Sequence, residues 1–275
     1  MWVSVIPSQA RNLGCYTAQS SVSENDRMTI ESESDLRGLK EIGRIVGLTV
    51  HHMQQHVRPG MTTAELDAIG GEFLKKHGAR SAPKISYNYP GYTCISLNDE
   101  AAHSIPGRRV IHAGDLVNID VSAELDGYFA DTGATMIVPP ATPLKQKLVA
   151  CARRARDKAV TAAQAGQRLN TIGAVAEAEA RRCGFTTLRD LGGHGIGRYL
   201  HEAPRDVPGC VVLRPLPHLA EGLVITIEPF VTTRARHIVT DPDGWTLRTA
   251  DGSLCAQFEH TIIVTRGHPI VLTAV

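Results

Sequence analysis

The sequence predicts an α+β fold, and three observations carry that prediction. Apolar residues recur at helical spacing just after the first 27 residues, two β-strands meet at a tight hairpin near the middle, and helices then alternate with further strands to the end. With 275 residues the chain is long enough to bury a sizeable core, and it is expected to form a single domain over residues 28–275.

Residues 1–27 read differently from the rest. They hold no acidic residue before Glu24 and show no periodicity, and the apolar start Met1–Ile6 is too short for a signal-peptide core. This stretch is expected to be a tail or an upstream extension, with Met28 as the functional beginning. From Ser34 to about Val57, Leu36, Leu39, Ile42, Ile45, Val46 and Val50 recur at intervals of three and four, and Arg58-Pro59-Gly60 stops the helix. Thr62 or Thr63 can cap a second helix running to about Lys76, with Glu65 in its first turn and Gly78 closing it. An aromatic turn at Tyr87–Tyr92 leads to a short strand at Thr93–Leu97.

Residues 115–123 and 128–138 read as strands joined at Asp126-Gly127, a strong hairpin signal. If those two residues form the loop, Ser122 faces Asp131 and Asp120 faces Gly133. Asp120 and Asp131 then share one face on a diagonal, with small residues opposite each. A third helix is expected from about Pro143 to Gln164 and a fourth from about Thr171 to Arg182. Leu191–Gly197 reads as a Gly-rich turn, Leu223–Phe230 as a strand and Ala256–Thr265 as another.

Composition narrows the function. Lys plus Arg number 29 against 28 Asp plus Glu, so net charge gives no support for a nucleic-acid or membrane-surface partner. No apolar run approaches the length of a membrane span. The six cysteines, Cys15, Cys94, Cys151, Cys183, Cys210 and Cys255, form no C-x-x-C pair, which suits reduced thiols in a cytoplasmic enzyme.

The chemistry rests on Asp120, Asp131, His194, Glu228 and Glu259. The carboxylates sit in apolar strand-like runs, and carboxylates are rarely buried unless paired or bound to metal. Two like charges about 4 Å apart cost roughly 4 kcal/mol at an effective dielectric near 20. A shared proton or a cation must offset that. Four carboxylates match two divalent ions, and a ligand set rich in oxygen with one nitrogen suits Co²⁺, Mn²⁺, Fe²⁺ or Zn²⁺. In such a site a water lying between the ions deprotonates near neutral pH and attacks, so the set reads as a two-metal hydrolase. His194 lies between Gly193 and Gly195, where the backbone can approach a ligand closely. His201 and His103 can position a substrate or stabilise developing charge without touching metal. His260 points to the opposite face of its strand from Glu259.

Six segments then resemble a known family. Asn98-Asp99-Glu100-Ala101-Ala102-His103-Ser104-Ile105-Pro106, Val117–Val121, Ala130-Asp131-Thr132, Gly193–Arg198, Ile227-Glu228-Pro229 and Ala256–Thr261 look like the short bacterial-type (type I) methionine aminopeptidases. The resemblance runs in order from about Glu31 to Val264. No large N-terminal domain precedes it, which argues against a prolidase or creatinase.

The resemblance implies a pita-bread fold, a pseudo-twofold curved antiparallel sheet with helices on its outer face. It implies removal of the initiator methionine from nascent polypeptides, in the cytoplasm, in proximity to the ribosome and by a monomer. By the family's pattern Asp120 chelates one metal, Asp131 and Glu259 bridge both, and His194 and Glu228 complete the other, with Glu228 also moving a proton. His201 is expected to stabilise the tetrahedral intermediate and His103 to contact the substrate beside the scissile amide. Tyr89, Leu200, Phe230 and Trp245 fall at the expected positions of the methionine pocket. This chain departs from the pattern there: Ser104 replaces a usual glycine, Phe230 a methionine and Leu200 a phenylalanine. Ser86 stands where an aromatic residue is usual and Pro83 where a cysteine is. Two alternatives follow: an aminopeptidase with another first-residue preference, or an inactive protein of the same fold that binds peptides or ribosomes.

Overall fold

The computed structural model describes residues 28–275; the expectations for residues 1–27 lie outside the described residues. Helices α1 (Glu33–His56) and α2 (Thr63–Lys76) lead to a two-residue strand β1 (Arg80–Ser81) and a short helix α3 (Ala82–Tyr87). Strands β2 (Cys94–Leu97), β3 (Glu100–Ala102), β4 (Leu116–Leu125) and β5 (Tyr128–Ile137) complete the first half. The second half opens with helices α4 (Pro143–Ala162) and α5 (Asn170–Arg182), then β6 (Thr186–Thr187), β7 (Gly192–Gly195) and β8 (Glu202–Pro208). There follow β9 (Val224–Ile227), β10 (Phe230–Thr232), β11 (Ile238–Thr240), β12 (Leu247–Thr249), β13 (Cys255–Gln257), β14 (His260–Ile263) and β15 (Ile270–Val271).

Local rules account for the helix starts. The Ser32 and Thr62 side chains each accept a hydrogen bond from the backbone amide three residues on, and the Asp35 and Glu65 carboxylates accept one in turn from the capping residue's amide. The apolar stripe of α1 buries Leu39, Ile42, Ile45, Val46, Val50 and Met53. Most of that stripe packs on Ile95, Val117, Ile119 and Val121 of β2 and β4. In the second half, small residues let α4 and α5 sit close together. Ala152, Ala155, Ala159, Ala176 and Ala180 are all buried, packed on Ile225, Ile227, Ile262, Val231 and Phe258. Each half thus sets a helix pair on an antiparallel sheet.

In the first half β4 is flanked by β1, β2 and β5; in the second the order is β15-β14-β9-β7-β8. The two are joined along a seam beside β5 where threonine hydroxyls replace a backbone ladder. Thr261 Oγ1 accepts from the Asp131 amide (2.9 Å) and donates to the Asp131 carbonyl (2.7 Å). Thr135 Oγ1 does the same for Gln257, at 2.9 Å each way. Thr132 Oγ1 donates to the Glu259 carbonyl, and the Glu259 amide donates to the Gly133 carbonyl.

Three expectations needed revision. The strand expected over Leu223–Phe230 is two strands, β9 and β10, in different sheets, because Pro229 has no N–H to continue the ladder. The strand expected over Ala256–Thr265 also divides, into β13 and β14, at Phe258-Glu259. Finally, part of the Gly-rich turn is the strand β7, packed between β9 and β8. A Cβ at Gly193 would come within 2.3 Å of the Thr226 carbonyl oxygen, and one at Gly195 within 2.4 Å of that of Ala203. Those glycines serve close backbone approach within a sheet.

Candidate metal centre

The hairpin forms with the expected register: Asp120 pairs with Gly133 and Ser122 with Asp131. Asp126 and Gly127 both have positive φ (51° and 81°), as a two-residue loop of this kind requires. Asp120 and Asp131 therefore lie diagonally on one face. His194 comes from the middle of β7, held by Gly193 and Gly195 against its neighbours. Glu228 stands at the break between β9 and β10, and Glu259 at the break between β13 and β14. A chain that switches sheets frees a residue from strand alternation, so both glutamates reach the space between the halves.

Asp131, His194 and Glu259 offer ligand atoms that lie within 4.8 Å of one another. His194 Nε2 is 3.9 Å from Asp131 Oδ2 and 3.9 Å from Glu228 Oε1. That is too long for a hydrogen bond. Two ligand atoms each about 2.1 Å from one ion can be no more than about 4.2 Å apart, so the gap suits a cation. His194 Nδ1 lies 2.9 Å from the Gly195 carbonyl. A proton on Nδ1 donated there leaves a lone pair on Nε2, facing the acids.

The carboxylates pass a second test. Ser122 Oγ donates to Asp131 Oδ2 (2.9 Å), and Gln257 Nε2 donates to Glu259 Oε2 (3.1 Å). The other oxygens, Asp131 Oδ1 and Glu259 Oε1, are buried with no partner at all. Each acid thus has one anchored oxygen and one bare oxygen, which suits a ligand to a cation. Burial, compounded by the neighbouring acids, pushes the carboxyls of Asp120, Glu228 and Glu259 well above the usual range. Without cations these groups would take up protons; the donor set fits divalent metal.

A cavity of about 450 Å³ opens beside these groups, lined by Asp120, Asp131, His194, Glu228, His103 and His201, among others. Tyr89, Leu200 and Phe230 line it too. Trp245 stands one layer back, edge-on to the Tyr89 ring at 5.1 Å, and is not among the lining residues. His103 has a left-handed backbone (φ 55°), held where the Tyr89 hydroxyl donates to the Ser104 carbonyl (2.8 Å). Burial, together with His194 nearby, pushes the His103 imidazole down to about 4. The His201 ring is held well below its ordinary value by burial and by His194, His103 and Arg205. Both rings are therefore neutral at pH 7, each with a single N–H. His260 faces away and bonds Thr273 (2.7 Å).

Sequence reasoning missed several neighbours. The exposed Arg189, Arg205 and Asp206 form the mouth of the cavity. Gln257, itself held by Asn118 Nδ2 (2.8 Å), anchors Glu259. Tyr87 reaches His201 across 114 positions of sequence. Such contacts leave no local pattern in the chain.

Residues 37–266 match the model of metallopeptidase family M24. The chain belongs to this family. Among its relatives, methionine aminopeptidase 2 of Bacillus subtilis is 47% identical over 247 residues, covering 90% of this chain and 99% of that protein. Methionine aminopeptidase of Staphylococcus epidermidis is 44% identical over 249 residues, with the same coverage. The crystal structure of methionine aminopeptidase from Thermotoga maritima superposes with a TM-score of 0.86 at 32% identity, covering 90% of this chain and 100% of that one. The M24 chain therefore has the pita-bread fold anticipated from its motifs and is a hydrolase of a metallopeptidase family. Among the described residues no helix is long and apolar enough to cross a membrane.

Proposed function

We propose that this protein removes the N-terminal methionine of polypeptides. The observation that carries the reading is the pair of bare, buried carboxylate oxygens on Asp131, which lines the cavity, and on Glu259, whose ligand atom lies within 4.8 Å of those of Asp131 and His194, beside a wall formed by Tyr89, Leu200 and Phe230. Asp120, Asp131, His194, Glu228 and Glu259 would hold two divalent ions, with Co²⁺, Mn²⁺, Fe²⁺ and Zn²⁺ as candidates. When bound, such ions supply an acidified water and polarise the scissile carbonyl. Asp131 and Glu259 would be shared between the two ions, with Asp120 completing the hold on one and His194 and Glu228 on the other. Glu228 also accepts a proton and passes it to the leaving amine. His201 donates an N–H to the charge that develops on the carbonyl oxygen. His103 binds beside the scissile amide. Tyr89, Leu200 and Phe230 surround the first side chain, with Trp245 buttressing Tyr89.

The substrates are nascent polypeptides, met in proximity to the ribosome in the cytoplasm by a monomeric enzyme. The substitution of Phe230 and Leu200 for more usual pocket residues supports a second reading, a preference for another apolar first residue. Comparing kcat/KM on Met-Ala-, Ala- and Leu-headed peptides separates the two. A chelator-treated enzyme should regain turnover when each cation is added in turn. Turnover untouched by chelation would overturn the metal-dependent reading.

A further inference from the structure

The Tyr87 hydroxyl and His201 Nδ1 lie 2.6 Å apart, their rings inclined at 52°. Tyr87 is the last residue of α3, a helix started by Ala82-Pro83 and ended by Asn88 in the left-handed region (φ 56°). That stop fixes where the phenol points. His201 lies in the turn before β8, with the Glu202 carboxylate beside it accepting from the Tyr199 and Met28 amides, at 2.6 Å each. Two independently anchored segments thus present one phenol to one imidazole. His201 Nδ1 has no other hydrogen-bond partner among the described residues, and neither does the Tyr87 hydroxyl.

Which atom donates decides what His201 can do. A phenol is a stronger acid than a neutral imidazole N–H, and an imidazole lone pair is a better acceptor than a phenol oxygen. Burial pushes the Tyr87 hydroxyl up to about 12, so it keeps its proton at neutral pH. We propose that Tyr87 is a positioning residue that sets the His201 tautomer: its O–H donates to Nδ1, which places the ring's single proton on Nε2. This rests on the aminopeptidase reading for its consequence, which is twofold. Nε2–H becomes a donor available to the developing oxyanion. It is also unable to coordinate metal, although its ring centroid is only 4.1 Å from that of the ligand His194. A bare Nε2 would compete for the cation and be lost as a donor.

The experiment is a two-bond ¹H–¹⁵N correlation of the histidine rings in Zn²⁺-loaded protein, with His201 assigned by its absence in His201→Ala. The expected pattern is a bare Nδ1 and a protonated Nε2, moving toward a mixture of tautomers in Tyr87→Phe. A proton on Nδ1 in the parent protein, or an unchanged pattern in Tyr87→Phe, overturns the proposal. On a methionyl peptide, Tyr87→Phe should lower kcat roughly 10-fold with KM little changed, less than loss of the imidazole itself. In a His201→Ala background the same substitution should cost nothing further, since Tyr87 acts only through that ring. An equal loss in both backgrounds would point to a merely structural tyrosine. If the parent protein turned over no methionyl peptide, the functional reading would fail while the ring spectrum would still decide the tautomer.

Discussion

At the scale of single residues, the site is built on incomplete satisfaction. Buried carboxylate oxygens are costly without a partner, and Asp131 and Glu259 each keep one bare. Asp131→Ala removes a ligand proposed to bridge both ions. It should abolish cation binding by calorimetry and turnover together; retained turnover would remove the bridging role. His201→Ala should keep the full metal content by elemental analysis yet slow kcat by about 10²–10³-fold, as for loss of one oxyanion donor. Loss of metal in that variant would instead make His201 a ligand.

At the scale of elements, close packing of backbones places His194. Gly193→Ala would drive a methyl group into the Thr226 carbonyl, a backbone atom that cannot swing away. It should displace β7 and weaken cation binding although no ligand is touched; an unchanged affinity would show that β7 is not what places His194. The seam allows a second test. Thr135→Val strands the Gln257 amide, while its carbonyl keeps only the longer bond from Asn118 Nδ2 (3.3 Å), and should cost about 1–3 kcal/mol in denaturant unfolding.

The hairpin was legible in the sequence because Asp120 and Asp131 are joined by one short turn, so alternation alone sets their face. The breaks at Glu228 and Glu259 were not, because an apolar run reads the same whether or not it changes sheets partway. Pro229 was the one local sign of such a change. The glycines around His194 marked a special backbone but did not distinguish a turn from a crowded strand. Tyr87 and Gln257 gave no signal, since their partners lie 114 and 139 positions away.

At the scale of the whole molecule, the two halves bring the acids together in one seam, and bound cations would offset the repulsion. Metal-free, Asp120, Glu228 and Glu259 have carboxyl groups raised above their unfolded values. The folded state then binds more protons than the unfolded chain. Its stability falls as pH rises above the ordinary carboxylate range, by about 1.4 kcal/mol for each unit of raised pKa. Cations remove that penalty by replacing the protons. The gap in Tm between metal-loaded and chelator-treated protein should therefore widen from pH 5.5 to pH 8 in scanning calorimetry. A gap independent of pH would mean that the acids are not what the cations neutralise.

Anomalous diffraction from crystals grown with Mn²⁺ tests the central claim most directly. Two strong peaks are expected in the seam, with Asp120, Asp131, His194, Glu228 and Glu259 all within coordinating distance of one or both. No peak there, or any one of the five side chains turned away from both ions, would contradict it.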